Sequence, residues 1–241
     1  MTGHQPRSYR RTLASDDLVA FEVAVAETDL LILAARRLPQ QARAAVRQAR
    51  RQIETHAALH PEFLSAHQPL PVPGYLPTIV LRMYEAAQRA DTGPMAAVAG
   101  AIAEHVARAL RAETAQVIVE NGGDLFLISE RERLVAVRAG RSPLDGRVAL
   151  AVPPGEVAVC TSSGTVGHSD SAGRADAVVV AADDGALADA LATATGNRVR
   201  ASEDAEKAIA WASERAELRH ILIICGDTMA TWGEFEVRPL K

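Results

Sequence analysis

The chain has 241 residues, of which 48% are apolar and only 4% aromatic, so Ala, Val, Leu and Ile must fill the core of one domain or of two closely fused lobes. Its net charge of −4 argues against general attraction to nucleic acid or to an anionic membrane. No run of 18 apolar residues predicts a transmembrane helix, and the N-terminus lacks the apolar stretch of a signal peptide. The two cysteines, Cys160 and Cys225, form no CxxC pair, and we expect a cytoplasmic location.

The first third of the chain predicts a β-hairpin followed by helices. Apolar residues alternate over Leu18–Val25, and Leu30–Ala34 follows a polar turn, which is typical of two paired strands. Apolar residues at helical spacing predict a helix over Gln40–Ala58. The stretch Pro61–Pro77 contains five prolines and predicts an ordered, non-helical crossing at which two lobes would join. Two further helices are expected over 78–90 and from 94 to about 110.

The helix over Gln40–Ala58 carries four arginines, Arg43, Arg47, Arg50 and Arg51. They would form either a surface for an anionic ligand or protein partner or, as is more common for charge runs, a solvated helix face. Further along, Gly100 lies within a predicted helix, where glycine costs about 1 kcal/mol relative to alanine. A close contact with a sheet or a ligand at that point would explain the glycine.

The second half of the chain predicts mainly short strands. A continuous apolar run over Ala175–Ala182 is typical of a strand covered on both faces. Because hairpins are frequent and helices are partly segregated from strands, the pattern favours an α+β fold over a doubly wound one. The other predicted strands are 115–120, 125–129, 134–138, 147–152, 157–160, 221–225 and 235–238, and the predicted helices are 185–195 and 203–216.

The first segment that could carry chemistry is Glu120-Asn121-Gly122-Gly123-Asp124, between two strands. Paired glycines permit positive φ and leave backbone amides open to a ligand phosphate or ring, and two carboxylates bracket the turn. The same sequence is also an ordinary hairpin turn.

The second segment runs from Cys160 through Thr161, Ser162, Ser163 and Gly164 to His168. Its hydroxyls and amides could hold phosphate oxygens, and His168 could transfer a proton near neutral pH. Cys160 is either a nucleophile, if a neighbouring histidine ionises its thiol, or a small buried residue at the end of a strand.

The third segment is a predicted helix on which Asp189 and Thr193 are four residues apart and project from one face. A carboxylate and a hydroxyl are hard oxygen ligands, which suit a Mg²⁺ that also grips a diphosphate. An exposed aspartate and a threonine bonded to its own helix would give the same pattern. The sequence has no GxGxxG after a strand, no Walker loop, no HExxH and no GxSxG, which argues against a Rossmann dinucleotide site.

Together these segments resemble the ApbE superfamily, whose characterised members are flavin transferases that use FAD and Mg²⁺. The Gly-Gly-Asp turn matches Val119–Asp124, the Thr-Ser-Gly element matches Thr161–Gly164, and the Asp-Ala-x-Ala-Thr-Ala helix matches Asp189–Ala194. The resemblance implies an ApbE-like, T-fold-like α+β domain over residues 1–241, with largely antiparallel sheet layers packed against helices. It also implies that Asp189 and Thr193 bind the metal.

A fuller resemblance extends over nearly the whole chain, to an ApbE-like family of similar size in bacteria and archaea. Its features resemble Arg7–Arg10, Glu27–Leu30, Pro61–Phe63, Gly93–Glu104, Glu120–Asp124 and Cys160–Ser169. For some relatives in anaerobes it implies a link to sulfide incorporation into homocysteine. The chain differs from the transferases at Val98-Ala99-Gly100, where they have a Gly-Lys-Gly-like helix start, and it has no counterpart of their His-Ile-Ile-Asp-Pro stretch.

Three hypotheses follow. The leading one is binding of a small-molecule flavin (FAD or FMN) or related nucleotide diphosphate with Mg²⁺, and any enzymatic activity would be of transferase type. Asp189 and Thr193 would hold the metal, and Gly100, Glu120–Gly123 and Thr161–Gly164 would contact the ligand. His168, Asp124 and Cys160 are the candidate catalytic residues. The alternatives are a sulfur-handling accessory that uses Cys160 and a non-catalytic protein that binds a partner through the Arg43–Arg51 face.

Overall fold

The computed structural model describes residues 17–164, 173–215 and 217–240. Its main feature is an eight-stranded sheet in which every neighbouring pair of strands is antiparallel, in the order β1-β2-β3-β4-β7-β8-β9-β10. A second, three-stranded antiparallel sheet has the order β11-β6-β5. The strands are β1 Val19–Val25, β2 Thr28–Ala34, β3 Val117–Asn121, β4 Asp124–Ser129, β5 Arg133–Ala136, β6 Val148–Val152, β7 Gly155–Ser162, β8 Ala177–Ala182, β9 Leu218–Cys225, β10 Thr228–Gly233 and β11 Glu236–Pro239.

Six α-helices accompany the sheets in the described part of the chain. They are α1 Pro39–Leu59, α2 Glu62–Ser65, α3 Thr78–Ala90, α4 Val98–Leu110, α5 Gly185–Gly196 and α6 Ala205–Ser213. A 3₁₀ turn over Pro94–Ala97 leads directly into α4. Among the described residues, no helix is both long enough and apolar enough to cross a lipid bilayer.

Each face of the large sheet packs into its own hydrophobic core. One core joins the helices to one face of the sheet, with Val119, Phe126, Cys160 and Val178 among its strand residues. The other core joins the opposite face to the small sheet and includes Ile118, Leu125, Val159 and Val179. Because successive side chains of a strand point to opposite faces, strand residues divide between the two cores by alternation. The fully buried run predicted at Ala175–Ala182 is explained by β8, which both layers cover.

The predicted α+β class, with largely antiparallel sheet layers and helices, is confirmed. Two elements of the observed secondary structure, α2 and β10, differ from those predicted from the sequence. The crossing predicted to be non-helical contains the short helix α2, which Pro61 precedes as its N-cap, a position where proline is tolerated. Strand β10 was not predicted, because its residues lie mostly on the exposed edge of the sheet and lack an apolar alternation. That residues 1–241 form one domain stays a prediction.

Candidate functional site

The turn between β3 and β4 lies at one end of the large sheet. Asn121 and Asp124 are paired across it, and the two residues between them are Gly122 and Gly123, with φ of 71° and 112°. L-residues rarely adopt these values, which accounts for both glycines. Within the turn Gly122 is exposed and Gly123 is half-buried, so the main chain is uncovered at Gly122.

Alternation of side chains separates the two carboxylates of this turn. Asp124 lies on the same face as Phe126, towards the helices, whereas Glu120 lies on the same face as Ile118, towards the small sheet. Glu120 Oε1 accepts a hydrogen bond from Gly123 N at 2.9 Å, and this bond braces the turn. Asn121 is on the helical side, where its Nδ2 donates to Ala99 O at 3.0 Å. Asp124 and Asn121 therefore face the helices together, and Glu120 supports them from the other side.

Asp189 faces the same region from α5. Its Oδ2 accepts hydrogen bonds from Ala99 N at 3.0 Å and from Gly100 N at 2.9 Å, which are first-turn amides of α4. Burial raises the pKa of Asp189 to about 7, although these two amides act to lower it. Asp189 is thus a buried carboxylate at the N-terminus of α4.

Asp124 and Asp189 interact directly through their charges. Asp124 Oδ1 accepts from Thr161 N at 3.1 Å. Burial raises the pKa of Asp124 well above its usual range, and the nearby Asp189 carboxylate raises it further. Burial and the mutual repulsion of the two carboxyl groups both oppose their ionisation, and a bound cation would offset this repulsion.

Cys160 lies beside this pair and is fully buried. Its Sγ donates to Gly185 O at 3.7 Å. Burial raises the pKa of Cys160 well above its usual range, and the Asp124 and Asp189 carboxylates raise it further. This environment opposes formation of a thiolate and favours the interpretation of Cys160 as a packed residue over that of a nucleophile.

The chain from Cys160 to Gly164, at and just after the end of β7, runs alongside α5 in the direction from the N-terminus of that helix to its C-terminus. Cys160 contacts Gly185, whereas Gly164 packs against Gly173, which in turn packs against Gly196. Ser162 lies between these contacts, on the helical face with Cys160, and among the described residues its buried hydroxyl has no hydrogen-bond partner. A buried hydroxyl without a partner is costly, and a bound ligand oxygen would satisfy it.

Several other predicted residues have definite positions. Thr193 lies one turn beyond Asp189 on α5 and is half-buried. Thr161 and Ser163 flank Ser162 and are also half-buried. His168 lies outside the described residues. The structure thus brings together Gly100, Asn121–Asp124, Cys160–Ser162 and Asp189, but it places Glu120 on the other face of the sheet and Gly164 near the far end of α5.

The donor set suits a magnesium ion that takes part of its coordination from a ligand. Among the described residues, no group of three or more His, Cys, Asp or Glu side chains could hold a metal ion by itself. Asp189 offers a carboxylate and Thr193 a hydroxyl, both hard oxygen donors, next to a second carboxylate on Asp124. Mg²⁺ is commonly bound by one or two carboxylates together with substrate phosphates, so the residues present fit this ion.

The N-terminus of α5 is held by Glu104, Asp184 and Arg82, none of which the sequence singled out as a site residue. Glu104 is buried and its Oε2 accepts from Gly185 N at 2.7 Å. Asp184 caps α5 by accepting from Leu187 N at 2.9 Å. Arg82 bonds to both carboxylates. The sequence signals were a glutamate one turn after Gly100 in an apolar helix and an aspartate directly before Gly185.

Two of the four arginines of α1 bond to neighbouring parts of the chain, and the other two are exposed. Arg50 is paired with Glu27 and Glu54 and donates to Thr28 Oγ1 at 3.0 Å. Arg43 donates to Ala24 O at 3.3 Å. Arg47 and Arg51 are exposed. The partner surface predicted at this helix stays a prediction.

Comparison with known proteins identifies the family. The model of the family described as "AbpE bacteria" matches residues 10–224. The chain belongs to this family. Similar curated proteins include a UPF0280 protein of Methanocella arvoryzae, 41% identical over 187 residues, which are 76% of each chain. A UPF0280 protein of Methanothrix thermoacetophila is 41% identical over 204 residues, or 83% of this chain and 84% of that one.

Solved structures show the ApbE-like fold. The apo flavinyl transferase ApbE of Pseudomonas stutzeri has a TM-score of 0.56 at 17% identity, covering 91% of this chain and 95% of that one. A mutant of the flavin transferase ApbE of Vibrio cholerae has a TM-score of 0.56 at 12% identity, and the match covers 89% of this chain and 96% of that one. The predicted resemblance and the ApbE-like fold are therefore confirmed. At these identities the structures establish the fold, and the roles of individual residues in this ApbE-like protein stay predictions.

Proposed function

We propose that this ApbE-like protein binds a flavin nucleotide, FAD or FMN, or a related nucleotide diphosphate together with Mg²⁺. The observation that carries the proposal is the burial of two carboxyl groups, Asp124 and Asp189, on the helical side of the sheet beside an exposed glycine turn. Such a pair is costly without a cation and favourable with one. The fold shared with solved flavin transferases supports a flavin as the nucleotide.

In this proposal each chain segment has a separate task. Asp189 and Thr193 hold the Mg²⁺, whose chemistry when bound is to neutralise phosphate charge and polarise a phosphoryl oxygen. The main chain of Asn121–Asp124 approaches the ligand, and the hydroxyl of Ser162 donates to one of its oxygens. If the protein is an enzyme, its reaction is transfer of part of the nucleotide, and His168 is the candidate acid–base group.

Fluorescence titration of FMN and of FAD, with Mg²⁺ and with EDTA, tests the proposal. We expect wild-type protein to bind at least one of them about tenfold more tightly with Mg²⁺, a difference of about 1.4 kcal/mol. Asp189→Asn should lose this Mg²⁺ enhancement. Asp183→Asn is the matched control, because Asp183 is an exposed carboxylate, paired with Arg219, close to the start of α5. Failure of both flavins to bind, or the same Mg²⁺ enhancement in Asp189→Asn, would contradict the proposal.

A further inference from the structure

Two carboxylates join α4 and α5 reciprocally. Asp189 of α5 accepts from Ala99 N and Gly100 N, in the first turn of α4. Glu104 of α4 accepts from Gly185 N, the first residue of α5. First-turn amides have no acceptor within their own helix, so each helix supplies the acceptor that the other lacks. The Asp189–Gly100 bond and the Glu104–Gly185 bond lie one helical turn apart, because Gly100 and Glu104, like Gly185 and Asp189, are four residues apart.

The helix backbones touch between these bonds. A Cβ atom on Gly100 would lie 2.0 Å from Gly185 O, and one on Gly185 would lie 2.5 Å from Gly100 O. The two helices therefore cannot approach more closely. The bond to Glu104 opposes their separation, and together the contact and the bond fix the N-terminal turn of α5 against α4.

Glu104 is itself held in place. It is only 3% exposed. Its Oε1 is paired with Arg108 Nε at 2.8 Å and with Arg82. Arg82 also bonds to Asp184 Oδ2 at 3.2 Å, so one guanidinium links the acceptor on α4 to the N-cap of α5. Charge-assisted bonds to a buried carboxylate define a geometry more sharply than a fully exposed pair does.

We propose that Glu104 is a positioning residue, which sets α5 so that the Asp189 carboxylate meets the first turn of α4 and faces Asp124. The expected effect of Glu104 on Mg²⁺ binding rests on the proposed function, whereas its effect on the placement of Asp189 does not. Glu104 acts through the Gly185 amide and contacts neither metal nor nucleotide. A glutamine at position 104 retains the acceptor and the length, and an aspartate retains the charge but is one methylene too short.

Native-state hydrogen exchange, followed by NMR, tests the placement without any ligand. In Glu104→Asp, exchange at the Ala99 and Gly100 amides should accelerate by about tenfold, while exchange at Val179 in the sheet stays unchanged. Glu104→Gln should restore protection. Glu156→Ala is the control, because Glu156 pairs with Arg108 and Arg111 on the other side of the network. Unchanged exchange at Ala99 and Gly100 in Glu104→Asp, or equal acceleration at all three amides, would overturn the proposal.

Titration with Mn²⁺ in the presence of saturating FMN, which would complete the coordination, separates this inference from the proposed function. We expect Mn²⁺ to bind wild-type protein and Glu156→Ala alike, and to bind Glu104→Asp about tenfold more weakly. If wild-type protein binds no Mn²⁺ but the exchange result holds, Glu104 still positions Asp189 and the metal site is refuted. If Mn²⁺ binds Glu104→Asp as tightly as wild type, the positioning role is refuted while the metal site stands.

Discussion

Gly100 and Gly185 bring α4 and α5 into backbone contact, and this contact places Asp189 beside the turn that carries Asp124. The close contact predicted at Gly100 is present, but its partner is a second helix and not the sheet or ligand that the sequence suggested. A Cβ at Gly100 would also lie 2.9 Å from Asp189 Cβ. The glycine is therefore a requirement of the site as well as of the packing.

Gly100→Ala should destabilise the protein by about 1–3 kcal/mol, because the added methyl group overlaps the Gly185 carbonyl. In a helix without such a contact the same change stabilises by about 1 kcal/mol. The sign of the change in unfolding free energy, measured by urea denaturation, therefore shows whether α4 and α5 touch at Gly100. A stabilised Gly100→Ala protein would show that the helices do not touch at this point.

Cys160 should be unreactive in the native protein. It is fully buried with a raised pKa, whereas Cys225 is half-buried. We expect iodoacetamide at pH 8 to modify Cys225 first, and Cys160 only after unfolding, as measured by mass spectrometry of the digested protein. Faster labelling of Cys160 than of Cys225 would restore the hypothesis that Cys160 carries sulfur.

The carboxylate pair should make the ligand-free protein less stable as the pH rises. The pKa of Asp189 is about 7 in the folded protein, above its ordinary value, so the folded state retains a proton that the unfolded chain releases. The contribution of Asp189 to the free energy of unfolding is fully present below the ordinary pKa of aspartate and is lost as the pH rises through about 7. Each unit of pKa difference corresponds to about 1.4 kcal/mol.

Urea denaturation in EDTA between pH 5 and pH 8 measures this decline. Asp189→Asn should lose less stability over the interval than wild-type protein, and Asp183→Asn should behave like wild type. Identical pH dependence in all three proteins would mean that Asp124 and Asp189 do not share a proton. Added Mg²⁺ should offset the decline in wild-type protein and in the Asp183→Asn control but not in Asp189→Asn, because the cation favours the ionised pair.

The sequence predicted the parts of this molecule that local patterns determine. Alternation predicted β1, short β-branched runs between turn residues predicted most of the other strands, and the glycine pair predicted the turn with Asn121 and Asp124. Local patterns do not reveal which face of a strand a turn residue occupies once both faces are buried, so Glu120 and Asp124 looked equivalent. They also do not reveal contacts between distant helices, which is why Glu104, 81 residues from its partner Gly185, was missed. Helical spacing placed Asp189 and Thr193 on one face, and the family resemblance then singled them out as the metal-binding residues.

A crystal structure with FMN and Mn²⁺, examined by anomalous scattering, tests the central claim most directly. The account predicts one anomalous peak about 2.0–2.4 Å from an Asp189 carboxylate oxygen and from Thr193 Oγ1, with a ligand phosphate completing the coordination. The flavin phosphate should lie against the Gly122–Gly123 turn. A flavin bound elsewhere, or a metal peak that contacts neither Asp189 nor Asp124, would contradict it.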